Sequence, residues 1–473
     1  MAERTNFAGL HKVGTYLDED RVLLNENSDI LDAQLKQAHL ERQEEKQSRA
    51  EGDAALDAKI AQEAQARTAD VADEATARLH GDNDLSALLQ EEVTARRDGD
   101  AAEAEAREDA LQAHDASAVA HNALVRRITV GNMSPVIGVC QVEAGNHVGL
   151  WCHVDGNGQP VQPNARYFDY HPVYSGMRRV LVDGQVMVEI PCFYIRHMVP
   201  ADGPFAGRPC KIISPTPQEG FRPYPAFLST TGAVLDKIYV AAFQSTNEGG
   251  SPVKAGSRPG KYPLVNATID TMRQYCANRN VDGVSGFHMW DIYEYNAICL
   301  LFLIEFANTD SQAIMGRGWV DSSAAVLTDD QYQPYWRGFT GLFGNVWQFV
   351  DGIRLTADRR FEIFKNDGSR TYVNTQKVCP SYDGTNTTRI VSLHTGEGEG
   401  FCLDDCILPA THSGTAAQGM FPDNLWGGYG SAGNILIIGG DWQWSGGAGL
   451  FCLYFCEPPG KVYPSVGCRS AKH

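Results

Sequence analysis

No stretch of this 473-residue chain is apolar for long enough to cross a bilayer, since a spanning helix needs about 20 apolar residues in a row. Nothing at its start couples basic residues to a short apolar run, so no secretion signal is expected. Basic stripes are missing too. With 40 Lys and Arg against 58 Asp and Glu, the formal charge is −18, which argues against a nucleic-acid partner. Aromatic residues are nearly absent from residues 1–120, where Phe7 and Tyr16 stand alone, whereas the remaining 353 residues hold 43. The same first 120 residues carry 28 acidic against 13 basic side chains. Such an acidic, aromatic-poor segment cannot build a globular core. The rest of the chain has an ordinary globular composition rich in Gly and Trp, and the length calls for two or more domains.

Catalytic and metal-binding patterns are equally scarce. His171, His197, His288, His394 and His412 are scattered, with no His-Glu-x-x-His or Gly-x-Ser-x-Gly arrangement. The pairs Cys402/Cys406 and Cys452/Cys456 are each four apart but lack histidines at zinc-site spacing. Without a secretion signal, the twelve cysteines are expected mostly as buried thiols in a reducing cytosol.

What the front of the chain does have is a repeat. Over residues 45–115 the period is 29: Glu45 recurs as Glu74 and Glu103, Arg49 as Arg78 and Arg107, Leu56 as Leu85, and Ile60 as Leu89. Twenty-nine residues is close to eight turns at about 3.6 residues per turn. Leu56, Ile60, Val71, Ala75, Leu89 and Val93 would line one narrow stripe of a helical coiled coil. Gly52, Gly81 and Gly99 interrupt it, each costing about 1 kcal/mol relative to Ala. The reading is a segmented stalk over residues 45–125, preceded by a base segment over 1–44.

From about Ile128 the pattern changes to short β-type runs separated by Gly and Pro, among them Ile128–Val130, Val136–Val142, Val180–Val182 and Val186–Ile190. Asp270–Asn278 and Asp291–Ala307 read as the helices of this part, the second with Ile292, Ala297, Leu300, Leu301 and Ile304 spaced to bury a broad face. The fold class is therefore α+β: a helical stalk, a β-rich neck over 126–205 and a head over 206–473.

Three stretches carry a resemblance. Gly344-Asn-Val-Trp-Gln-Phe-Val-Asp-Gly, then Gly439-Gly-Asp-Trp with Ala448-Gly-Leu-Phe, and Gly467-Cys-Arg at the close resemble the formylglycine-generating-enzyme branch of the C-type lectin fold. The run Val186-Met-Val-Glu-Ile-Pro-Cys-Phe-Tyr-Ile through Gly220-Phe-Arg-Pro-Tyr-Pro to Leu303-Ile-Glu-Phe-Ala-Asn-Thr-Asp-Ser-Gln resembles a module of phage tail-fibre and receptor-binding proteins. The layout of the last residues is similar to the variable region of retroelement-diversified tropism determinants.

This resemblance implies a C-type-lectin-like head whose buried frame is Gly439, Gly440, Trp442, Ala448, Gly449, Leu450, Phe451, Leu453, Phe455, Gly467 and Arg469. Asn345 and Trp347 would be structural. The implied contact positions are Trp444, Ser445, Cys452, Tyr454, Cys456, Glu457, Lys461, Tyr463 and Ser465. Alternation along a strand agrees, with Phe451, Leu453 and Phe455 facing one side and Cys452, Tyr454 and Cys456 the other. The family's copper oxidase activity needs two thiols five apart, and Cys452 and Cys456 are four apart. Glu457-Pro458-Pro459 lacks the third side-chain oxygen of a calcium-dependent sugar site. The expectation is thus a non-enzymatic tail-fibre adhesin without cofactor or metal. It would be a homotrimer joined to the tail at its N-terminus, located in the virion and assembled in the host cytoplasm. Its partner would be a host-surface protein or glycan, with no nucleic acid and no membrane insertion. The alternatives are a diversified display protein outside any virion and a copper oxidase.

Overall fold

The computed structural model describes residues 28–68, 74, 134–143, 149–382, 384, 388–414, 419–428 and 433–473. Two compact units emerge, Met1–Ser117 and Ala118–His473. The expected base segment up to residue 27, the repeat beyond residue 68 apart from Glu74, and the strand expected at Ile128–Val130 lie outside the described residues.

In the first unit residues 28–68 form one α-helix, about 60 Å long at 1.5 Å per residue. It runs through Gly52 without a break. The charge pattern of the repeat explains part of its persistence. Glu45 pairs with Arg49 at 2.5 Å and Glu63 with Arg67 at 2.6 Å, both one turn apart. Each such exposed pair contributes only about 0.3–0.5 kcal/mol. Its apolar residues stay in solvent in the single chain: Leu56 is 56% and Ile60 57% exposed. Among the described residues no helix is long and apolar enough to cross a membrane.

The second unit is mixed α+β and rich in strands. One antiparallel sheet has the order Trp151–Asp155, Ile137–Gln141, Cys210–Ser214, Tyr194–Met198, Arg222–Pro223. A disulfide joins Cys140 to Cys210 across it. Ten cysteines are free, eight of them buried. A second sheet runs Phe287–Met289, Ser470–Lys472, Lys237–Ala241, Gln185–Pro191, Arg178–Val182. Strands from the expected neck and the expected head therefore share a sheet, and residue 205 does not separate two sets of strands.

The third and largest sheet has Trp347–Leu355 near its centre, flanked by Arg360–Phe364 and then Tyr372–Val378 on one side. On the other side come Ile435–Gly439, Gly449–Glu457 and Leu425–Trp426. Val466–Gly467 joins the start of Trp347–Leu355 in parallel. The last thirty-odd residues are thus woven into two sheets, which is why their surface positions are held firmly.

Two helices found from periodicity form where expected, at Ile269–Ala277 and Ile292–Phe306. Thr268 caps the first through its hydroxyl, and Asp291 with Glu294 forms a reciprocal capping box on the second. The second buries more than one face: every residue from Ile292 to Ile304 is buried. A helix buried all round belongs inside a large core, and just before its start the Trp290 indole N–H donates to the Phe349 carbonyl of the large sheet at 2.7 Å. Asn345 is buried in the left-handed region at φ 62°. It accepts the Val326 amide at 2.8 Å and donates to Gln244 at 2.8 Å, pinning the loop before Trp347.

Candidate ligand-binding surface

The frame expected for residues 439–469 is buried at each position except Trp442, which is half-buried. Arg469 is its anchor. Its guanidinium is fully buried and donates to Gln348 Oε1 at 3.0 Å and to the carbonyls of Ala241, Thr340 and Gly341 at 2.7, 2.9 and 2.7 Å. Burial lowers its pKa to about 9, still above neutrality, so it remains a cation at pH 7.

The contact positions separate into two groups. Cys452 is 0% exposed and Cys456 7%, so neither presents a contact surface; this corrects the expectation from strand alternation. Alternation distinguishes two faces of a strand but does not say what lies over each. Here the face carrying Tyr454 is covered by rings from distant segments. Tyr454 lies 5.6 Å from Trp347 and 5.8 Å from Trp426, while Trp444 lies 4.6 Å from Trp426 and 5.7 Å from Trp347. Burial pushes both thiols up, Cys452 well above its ordinary value and Cys456 to about 12. The Cys456 thiol donates to the Gly427 carbonyl at 3.0 Å.

The other seven positions retain exposure. Ser445 and Lys461 are exposed, and Trp444, Tyr454, Glu457, Tyr463 and Ser465 are half-buried. Trp444 and Tyr454 each have one side in the aromatic cluster and one toward solvent, so they are partly structural. The Tyr454 hydroxyl donates to Glu457 at 3.0 Å. Burial, then hydrogen bonding to Glu457, raises the Tyr463 phenol to about 12. The Glu457 carboxylate therefore sits between two tyrosine hydroxyls. Below them Asp441 is pushed up by burial and drawn back by hydrogen bonds with the Gln443 amide, Ser465, Trp347 and Trp444.

Ser445 has a left-handed backbone, φ 47°. Gln312 Nε2 donates to the Ser445 and Ala448 carbonyls at 2.8 and 2.6 Å, and the Arg317 guanidinium to the Ser445 hydroxyl at 3.0 Å. Two adjoining clefts of about 490 and 320 Å³ open beside Gly446, sharing Asp310 and Pro422. Arg389 lines the larger, and Arg317 and Asp423 the smaller. These charged residues were missed from the sequence. The one available signal was the polar stretch Asn308-Thr-Asp-Ser-Gln directly after the buried helix.

Asp423 is unusual among them. Burial raises its carboxyl well above 3.8, the Phe451 amide and Arg389 oppose that rise, and Asp310 adds to it. It is therefore protonated in the folded state at pH values where it is ionised in the unfolded chain. Folding then takes up a proton, and stability falls as pH rises from about 3.8 toward the folded pKa, by up to about 1.4 kcal/mol per unit. Asp423→Asn retains an acceptor for the Phe451 amide, 2.8 Å from Asp423 Oδ2. The variant is expected to gain stability over wild type as pH rises through that window. Urea midpoints at pH 4, 6 and 8 would check this; a constant difference at all three would contradict it.

No family model and no curated protein matches the chain. Among solved structures it is similar to Treponema denticola variable protein 1. That alignment has 11% identity and a TM-score of 0.30, covering 62% of this chain and 98% of the other.

Among the described residues two clusters bring metal-ligating atoms within 4.8 Å of one another: His197, Cys402 and Asp405, and His288, Glu294 and His473. In both a guanidinium already stands where a cation would bind. Arg222 reaches both Asp405 oxygens at 2.7 Å, and Arg370 lies 2.7 Å from His288 Nε2. These are internal ion-pair networks. The first ties Asp405 to His197 at 2.8 Å and, through its carbonyl, to the Tyr224 hydroxyl at 2.7 Å.

Proposed function

We propose that this chain is the receptor-binding component of a phage tail fibre. The helix-bearing N-terminal segment serves as stalk, and the β-rich unit as the head that contacts the host surface. The contact residues are Trp444, Ser445, Tyr454, Glu457, Lys461, Tyr463 and Ser465, with Arg317 and the clefts beside Gly446 at their border. One observation carries this reading: over residues 439–469 a buried frame holds seven aromatic and polar side chains at exposed or half-buried positions. A surface of that composition suits recognition with little loss of side-chain freedom, and its exposed Ser445 and Lys461 can change without emptying the frame. Binding is preferred to catalysis because burial of Cys452 and Cys456 disfavours the thiolate that copper chemistry needs.

The test is adsorption to host cells. Ser445→Arg, Lys461→Glu and Tyr463→Ala together are expected to lower adsorption at least about 100-fold, while stability falls by no more than about 2 kcal/mol. Unchanged adsorption by the folded variant would remove the surface from the proposal.

The exposed Ile30, Leu35, Leu40, Leu56 and Ile60 of the long helix support association of several copies, since a lone polar helix is marginal in water. The expected assembly is a parallel trimer. Analytical ultracentrifugation of the full chain at micromolar concentration should give three times the 51.7 kDa chain mass; a monomer would contradict the stalk.

A further inference from the structure

Three cysteines stand in a row across the first antiparallel sheet. Cys140, on the middle strand, is directly opposite Cys210 on one side and Cys152 on the other. Directly opposed residues of neighbouring antiparallel strands project to the same face. Cys140 and Cys210 are bridged and 0% and 1% exposed, whereas Cys152 is a half-buried free thiol packed against the same small core. The hydrogen-bond phase fixes how far apart the unbridged pair is. The Gln141 amide donates to Pro209 at 3.1 Å, and the Val142 amide to Leu150 at 2.9 Å. Bonds alternate along a strand, so residue 140 bonds toward Cys152. A pair of that kind has Cα atoms about 5.5 Å apart, within the roughly 4.4–6.8 Å that a disulfide spans, and its Cβ atoms, about 5.5 Å apart, close by about 1 Å when the bond forms.

We propose that Cys152, Cys140 and Cys210 form a thiol–disulfide exchange site whose outside reactant is an accessible thiol. In the first step the Cys152 thiolate attacks Cys140 Sγ. The Cys140–Cys152 bond forms, the Cys140–Cys210 bond breaks, and the electron pair leaves on Cys210 Sγ, which takes a proton from solvent. One disulfide is present before and after, so no oxidant is required. The row of strands sets the direction of attack: Cys152 approaches Cys140 from the side opposite Cys210, as displacement at sulfur requires. The step moves the bridge from a buried pair to one that includes a half-buried residue. An outside thiolate can then attack Cys152 Sγ, forming a mixed disulfide there and releasing Cys140 as the thiolate.

The probe is reduced glutathione with the full, natively bridged chain. After an acid quench, free thiols are alkylated and non-reduced peptides are mapped by mass. The expected products are a Cys140–Cys152 peptide pair, glutathione on Cys152, and alkylated Cys210. Cys152→Ser should lower Cys210 alkylation at least tenfold. An intact Cys140–Cys210 bridge beside fully alkylated Cys152 would overturn the proposal, as would equal Cys210 release in wild type and variant. Independently, Cys210→Ser treated with glutathione disulfide should close a Cys140–Cys152 bridge. A lasting glutathione adduct on Cys152 next to free Cys140 would also overturn it.

Discussion

Arg469→Ala is expected to unfold the head. The substitution removes four donated hydrogen bonds at once, taking this donor from Gln348 Oε1 and from the carbonyls of Ala241 and Thr340, while the Gly341 carbonyl keeps only the longer bond from Gln348 Nε2 at 3.2 Å. Each unsatisfied buried acceptor costs about 1–3 kcal/mol, and the emptied side-chain volume adds to this. The total, at least about 5 kcal/mol, is comparable with the whole stability of many domains. Among the described residues no carboxylate pairs with Arg469, so the loss is one of hydrogen bonding and packing rather than of an ion pair. Trp290 and Phe339, with rings 5.5 and 6.0 Å from the guanidinium, also lose their cation. Arg469→Lys keeps the charge but not the planar fork, and should recover only part of the stability. Denaturant midpoints of the soluble variants would check the order wild type, Lys, Ala. An Ala variant within about 1 kcal/mol of wild type would show that the acceptors find other partners.

Glu294→Ala should be nearly as damaging, at about 3–5 kcal/mol, the cost of breaking a buried charge network by removing one member. Oε1 lies 2.8 Å from both His288 Nε2 and His473 Nε2, and Oε2 accepts the Asp291 amide at 2.8 Å. Asp291 and Arg370, 3.5 Å apart, complete the charged surroundings. Burial by itself would raise the Glu294 carboxyl. The charge and hydrogen bond of His288, followed by those of His473, reverse this and hold it well below 4.5. A carboxylate with a depressed folded pKa stabilises fully above its unfolded value, and that contribution disappears as pH falls toward the folded one. Wild type should therefore lose stability more steeply than Glu294→Gln below about pH 4.5. Parallel slopes for the two in acid titrations followed by circular dichroism would contradict this.

Much of this arrangement was legible in the sequence, for local reasons. The long helix of the second unit announces itself through the apolar spacing of Ile292, Ala297, Leu300, Leu301 and Ile304, whereas the frame from Gly439 to Arg469 was implied by the resemblance of its Gly-Gly-Asp-Trp and Ala-Gly-Leu-Phe stretches. Cys452 and Cys456 were misplaced because what surrounds them comes from distant segments, Asp423 and Arg389 beside Cys452 and the Gly427 carbonyl beside Cys456, whose approach no local pattern reveals. Asp310, Arg389 and Asp423 line a shared border only because three separate segments converge beside Gly446. The row of Cys152, Cys140 and Cys210 depends on strand register, which twelve scattered cysteines cannot specify. The helix through residue 52 survives its glycine because one such residue costs about 1 kcal/mol, a penalty shared over a helix many turns long.

The place of residues 470–472 governs when the head can fold. They form an inner strand between Phe287–Met289 and Lys237–Ala241, both synthesised long before them. A nascent chain that stops short of Arg469 presents two open strand edges, and Gln348 Oε1 and the Ala241 and Thr340 carbonyls lack the guanidinium that they bond in the finished head. Such edges invite pairing with neighbouring chains. Final assembly of the second sheet must therefore wait until this stretch has left the ribosome. Ribosomal stalling or premature termination before Arg469 should consequently yield aggregates rather than a shortened head.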